Sequence, residues 1–151
     1  NNQLSPPPPP PPPPVDSPHL VVVQKAVMGL LRLCARLLPY KQHEAAGDLL
    51  LKGLQLVALV DEHAAAELAP TIAYEVQALV RSFAVFVHHP QAWTTLCTLL
   101  RIVMYDKAAM PTCVATVEWI AREALSMVNF SAVLQSGVDL LDRLASVGEG
   151  G

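Results

Sequence analysis

The chain has 151 residues, 52% of them apolar and 15% charged, against roughly 45–50% apolar and about 25% charged in an ordinary globular protein. Ten Lys and Arg against 13 Asp and Glu leave a net charge of −3, which excludes the basic field that nucleic-acid binding or adhesion to anionic lipid requires. Much apolar side chain with little charge predicts one helical domain, long enough to bury roughly two-thirds of its unfolded surface, with apolar faces left over for neighbours.

The amino-terminal residues Asn1 to Ser5 run into nine consecutive prolines, Pro6, Pro7, Pro8, Pro9, Pro10, Pro11, Pro12, Pro13 and Pro14, rather than into the apolar core of a signal peptide. Proline fixes φ near −65° and has no amide donor, so this segment is expected to be a stiff, solvated polyproline II rod. It reads as a disordered linker over residues 1–17, and it is also a candidate ligand for a proline-binding domain of the profilin or WW kind. Ser17-Pro18 supplies a cap and a first-turn proline, and the composition turns abruptly helical from Leu20.

Six helices follow, cut by proline, glycine or short polar runs. The first, about Pro18 to Leu38, carries Leu20, Val23, Val27, Leu30, Leu31, Cys34 and Leu38 on one face and Lys25, Arg32 and Arg36 on the wet side; Pro39 ends it. The second, about His43 to Val60, has Leu49, Leu50, Leu54, Val57 and Leu59 wrapped around a polar strip of Asp48, Lys52 and Gln55, a pattern that predicts packing on more than one side. The third starts at Glu62, meets a kink at Pro70 and runs on to Val87, with Ile72, Val76, Leu79, Phe83 and Phe86 inward.

The fourth, about Gln91 to Met104, faces inward with Trp93, Leu96, Cys97, Leu100 and Met104, and outward with Gln91, Thr94, Thr95, Thr98 and Arg101. The fifth, about Pro111 to Val128, packs Val114, Val117, Ala121, Leu125 and Val128 and pairs Glu118 with Arg122 at i, i+4. Ser131 caps the sixth, which pairs Asp139 with Arg143 and runs to about Val147. No segment alternates with period two between hairpin turns, so strands are not expected. The fold class is therefore all-α: antiparallel helix pairs stacked as a HEAT- or armadillo-like α-solenoid over residues 18–147, with a disordered proline-rich tail before it and a disordered Gly-rich tail, 148–151, after it. A closed bundle is the competing arrangement.

Chemistry is thin. Cys34, Cys97 and Cys113 have no CxxC spacing and read as buried small thiols in a reducing compartment. The longest stretch without Asp, Glu, Lys or Arg, Ser82 to Leu100, is broken by His88, His89 and Pro90, which argues against a membrane-spanning helix. His88 and His89 have no Cys, Asp or Glu at ligand spacing beside them, and Asp61, Glu62 and Glu67 sit where negative charge favours a helix dipole. There is no GxSxG, Walker sequence, HExxH or GxGxxG. No catalytic residue, cofactor or metal is expected, and Pro39, Tyr40, Trp93 and Trp119 read as packing residues.

Four strings carry a resemblance: Leu38-Pro39-Tyr40-Lys41, Gly53-Leu54-Gln55-Leu56, Ile72-Ala73-Tyr74-Glu75, and Trp93-Thr94-Thr95-Leu96-Cys97-Thr98-Leu99-Leu100. In this order they resemble the helical region downstream of the catalytic domain in large Arf guanine-nucleotide exchange factors of the Golgi brefeldin A-resistance and GNOM type. In that family a long insertion interrupts this region, whereas Tyr105 to Met110 is short here. The resemblance implies a cytoplasmic protein, peripheral to Golgi or endosomal membranes, acting in vesicle-mediated traffic. It implies as partners the other domains of the parent exchange factor, an Arf-family GTPase or membrane-traffic proteins. Exchange in that family depends on a glutamate of a separate domain, so Glu44, Glu62 and Glu118 take no catalytic role, and this piece is expected to be a scaffold. The alternative is a free-standing helical-repeat adaptor for protein–protein interaction whose polyproline segment recruits a partner.

Overall fold

The computed structural model describes residues 4–10, 18–124, 138 and 140–147. Among them are five α-helices: α1 (Pro18–Leu37), α2 (Glu44–Gly53), α3 (Glu62–Phe83), α4 (Pro90–Val103) and α5 (Met110–Trp119). Short 3-10 helices, Lys41–His43, Leu54–Leu59 and Ala84–Phe86, extend or join them; α5 continues into a π-helical turn, Ile120–Ala124, and residues 140–147 are helical. The described residues contain no strand, so the described fold is all-helical as its periodicity predicts. Residues 4–10 are exposed and have neither helix nor strand. Pro11 to Pro14, Ser17, Leu125, Val128, Ser131, Asp139 and the 148–151 tail lie outside the described residues.

Local chemistry sets the ends of the helices. Pro39 disfavours helix at its predecessor, and after Leu37 the chain turns, with the Tyr40 amide donating to the Leu37 carbonyl at 3.1 Å. The Asp61 carboxylate caps α3, accepting from the Ala64 amide at 2.8 Å. α3 then runs unbroken through Pro70, which faces solvent. Pro90, at the first position of α4, brings a fixed φ and no orphaned amide.

The second helix is shorter than its apolar run. α2 stops at Gly53, and Leu54–Leu59 tightens into a 3-10 helix. With three residues per turn, positions three apart eclipse: Leu54 and Val57 turn inward together, while Leu56 and Leu59 turn outward and stand 69% and 81% exposed. Leu49 is 69% exposed as well. The all-round packing expected of this segment is therefore corrected to one buried side. At Gly47 α2 comes close to the end of α1: a Cβ there would lie 3.2 Å from Leu38 Cδ2, and the Cys34 thiol points at the Gly47 carbonyl.

All-round burial belongs instead to α4, where Ala92, Trp93, Thr95, Leu96, Cys97, Leu99, Leu100, Ile102 and Val103 are all buried. Thr95, expected on the wet side, is accommodated because its hydroxyl donates to the Gln91 carbonyl at 3.0 Å, which satisfies it inside the helix. α5 is rotated from its expected face. Ala109, Cys113, Thr116 and Ile120 are buried, while Val114 and Ala121 are exposed. Val114 and Ala121 share the helical face of Glu118 and Arg122, and that polar pair keeps the face in solvent.

The contacts between elements follow a simple order. α3 packs against α1, α4 and α5; α1 packs against α2; and α2 and the Leu54–Leu59 turn pack against α4. Residues 140–147 lie at the far end of α4, where Arg143, Ser146 and Val147 line a cleft with Arg101, Met104 and Tyr105. One continuous core joins these elements, with Trp93, Leu31, Leu51, Leu68, Ile72, Leu96 and Leu100 among its largest fully buried side chains. Each such leucine or isoleucine stabilises the fold by about 1.5–3 kcal/mol relative to an exposed one.

Candidate functional site

A cleft of about 640 Å³ lies between α1 and α3, lined by Leu31, Arg32, Arg36, Tyr40, Glu75 and Phe83 among others. Its floor holds an ion pair. Arg32 donates to Glu75 Oε1 through Nε at 3.0 Å and Nη2 at 2.8 Å, and the Glu75 side chain is only 7% exposed. The arginine was expected to be merely wet, but it reaches across to α3 and neutralises a buried carboxylate. The carboxylate raises the guanidinium pKa above its ordinary value through their hydrogen bond and opposite charge. Gln24 Nε2 donates to Thr71 Oγ1 at 2.6 Å and makes a second polar tie between the same helices.

The residues singled out in the sequence are scattered. Trp93 is fully buried, and its indole donates to the Val87 carbonyl at 2.9 Å, so it fixes the start of α4 against the preceding link. Trp119 is half-buried against the core. Pro39 is half-buried at the turn after α1. Tyr40 departs from its expected packing role: it is 60% exposed, with its ring edge-on to His43 at 6.4 Å. The turn at Pro39 carries it past the end of α1 to the rim of the cleft. Pro6 to Pro10 are exposed and far in sequence from every one of these positions.

The acidic run is structural, since Asp61 caps α3 and Glu62 occupies its first turn. Cys34, Cys97 and Cys113 are buried and free. Burial pushes the thiols of Cys34 and Cys97 up to about 12 and that of Cys113 up to about 11, so none is a ready nucleophile. Glu118 pairs with Arg122 at 3.2 Å, as its spacing predicts.

One grouping was invisible in the sequence. His89 has no acidic neighbour along the chain, but the packing of α2 on α4 brings Asp48 to it, with His89 Nε2 3.0 Å from Asp48 Oδ2. Glu44 joins them, and one ligand atom from each of the three lies within 4.8 Å of the others. Asp48, expected on the polar strip of its helix, is thus turned toward a neighbour. Burial and the charge of Glu44 raise its carboxyl pKa, against the lowering influence of His89 and His88.

Among the described residues no helix is long and apolar enough to cross a membrane. No family model matches the chain, and no solved structure matches it. The chain is 36% identical over 113 residues to the ARF guanine-nucleotide exchange factor GNOM of Arabidopsis thaliana, a match that covers 75% of this chain and 8% of that protein. It is 43% identical over 81 residues to the ARF guanine-nucleotide exchange factor GNL1 of the same plant, covering 54% of this chain and 6% of the relative. The chain therefore spans less than a tenth of the length of these relatives. Its sequence kinship is with large ARF guanine-nucleotide exchange factors of the GNOM type, a short stretch of which it matches.

Proposed function

We propose that the chain is a non-catalytic helical scaffold, part of a large ARF guanine-nucleotide exchange factor downstream of its exchange domain, serving vesicle-mediated membrane traffic. The long similarity to GNOM is the observation that supports this most. The order of helix contacts agrees with a stacked architecture: α1, α3 and α5 touch in succession, α2 touches α4, and α1 leans on α2 as α3 does on α4. Successive antiparallel pairs of HEAT or armadillo type produce that order. On this reading residues 18–147 are the helical-repeat domain, 1–17 a polyproline linker and 148–151 a Gly-rich tail. The piece positions other domains of the parent, works beside an ARF-family GTPase, and resides in the cytoplasm at the periphery of Golgi or endosomal membranes.

The test is the coding sequence around the chain. An exchange domain encoded ahead of Asn1 is the expected result; a reading frame that closes without one contradicts the proposal. A second reading, a free-standing adaptor, draws on the exposure of Pro6 to Pro10. It predicts that deleting Pro6 to Pro14 abolishes capture by a profilin or WW domain while helical circular dichroism stays the same; capture that survives the deletion contradicts it.

A further inference from the structure

Glu44 and Asp48 stand four residues apart on α2, a spacing that puts both carboxylates on one helix face. His89 occupies the N-cap position of α4, where Pro90 fixes the start of the helix. The core holds α2 against α4, so the three side chains meet through packing and not through chain neighbourhood. An oxygen or nitrogen from each lies within 4.8 Å of the others. Independently, Asp48 Oδ1 is buried and has no hydrogen-bond partner among the described residues, although Oδ2 is paired with His89. The Asp48 side chain is 19% exposed overall, but a buried carboxylate oxygen lacking a partner is uncommon and is met by an ion or an ordered water.

We propose that Glu44, Asp48 and His89 bind a divalent first-row transition cation, zinc by preference, that clasps α2 to the start of α4. Two carboxylates and one neutral imidazole are a borderline donor set that suits zinc with water as a fourth ligand. Calcium and magnesium are hard cations that take oxygen donors, and the imidazole nitrogen of His89 disfavours both. A dication between the carboxylates removes their mutual repulsion and gives Asp48 Oδ1 the partner it lacks.

The test is calorimetric titration of the full chain, freed of metal, with zinc ions alone. One equivalent is expected. His89→Ala and Asp48→Asn each lower the affinity at least about tenfold, and Glu44→Gln, which leaves the buried carboxylate in place, also weakens it. His63→Ala, on the first turn of α3, leaves it unchanged. Zinc also raises the melting temperature of the wild-type chain and not that of His89→Ala. A wild-type chain that takes up no zinc, or variants at positions 44, 48 and 89 that bind as wild type does, overturns the proposal in favour of a simple histidine–aspartate ion pair.

Discussion

α2 and α4 are both rich in apolar residues, and they sit at different depths. α4 has neighbours on several sides, in α3, α2, α5 and the Leu54–Leu59 turn, and buries nine of its fourteen residues. α2 and its 3-10 continuation have α1 and α4 on one side, and they leave Leu49, Leu56 and Leu59 in solvent. Depth is therefore decided by how many elements surround a helix, and apolar content does not measure it. An apolar run that changes from 3.6 to three residues per turn also redistributes its own leucines between core and surface.

Substitutions in the two helices should expose this difference. Trp93→Ala removes the largest fully buried side chain together with its hydrogen bond to Val87, and should destabilise the chain by about 3–5 kcal/mol in urea unfolding. Next comes the ion pair beneath the cleft. Arg32→Ala strands the buried Glu75 carboxylate, whereas Glu75→Gln leaves a neutral side chain and an arginine free to turn to water. The melting temperature should accordingly fall further for Arg32→Ala than for Glu75→Gln, and the reverse order would contradict the pairing. At the small end, Leu49→Gln or Leu59→Gln should change stability by about 0.5 kcal/mol or less; a large loss would mean that α2 is covered after all.

The thiols give a pH-dependent version of the same comparison. Cys97 in α4 and Cys34 beneath α2 have folded pKa values of about 12 against an ordinary 9.0, raised first by burial. The unfolded chain thus gives up thiol protons that the folded chain keeps, so stability is full below about pH 9 and declines as the pH climbs toward about 12. At pH 8 an alkylating reagent should label the cysteines only after denaturant is added, as mass spectrometry of the intact chain would show.

Much of the helical layout was legible because proline and period mark it. α1, α3 and α4 begin and end within a few residues of their expected limits, where Pro18, Pro39, Asp61 and Pro90 stand. Faces were legible only where one side was polar: the inward Val27, Leu31 and Cys34 of α1 and Ile72, Val76 and Leu79 of α3 are buried as read. On α5 and its continuation the polar pair Glu118 and Arg122 does mark the exposed face, and Val114 and Ala121, read as inward, share that face. Long-range partners were not legible at all. Glu75 and Arg32, and Asp48 and His89, are brought together by packing between helices, and nothing in their local spacing announces it. The four strings that carried the family resemblance fall at demanding places: the turn after α1, the end of α2, the helix segment that bears buried Glu75, and the turns of α4 around Trp93.

A scaffold role for the isolated chain is tested most directly by following release of a fluorescent nucleotide from an ARF GTPase with the purified protein added in excess. The expected rate is the spontaneous one, unchanged by the chain at any concentration. A rate that rises with the amount of chain would show that these residues carry exchange activity themselves, and would contradict the assignment of catalysis to another domain.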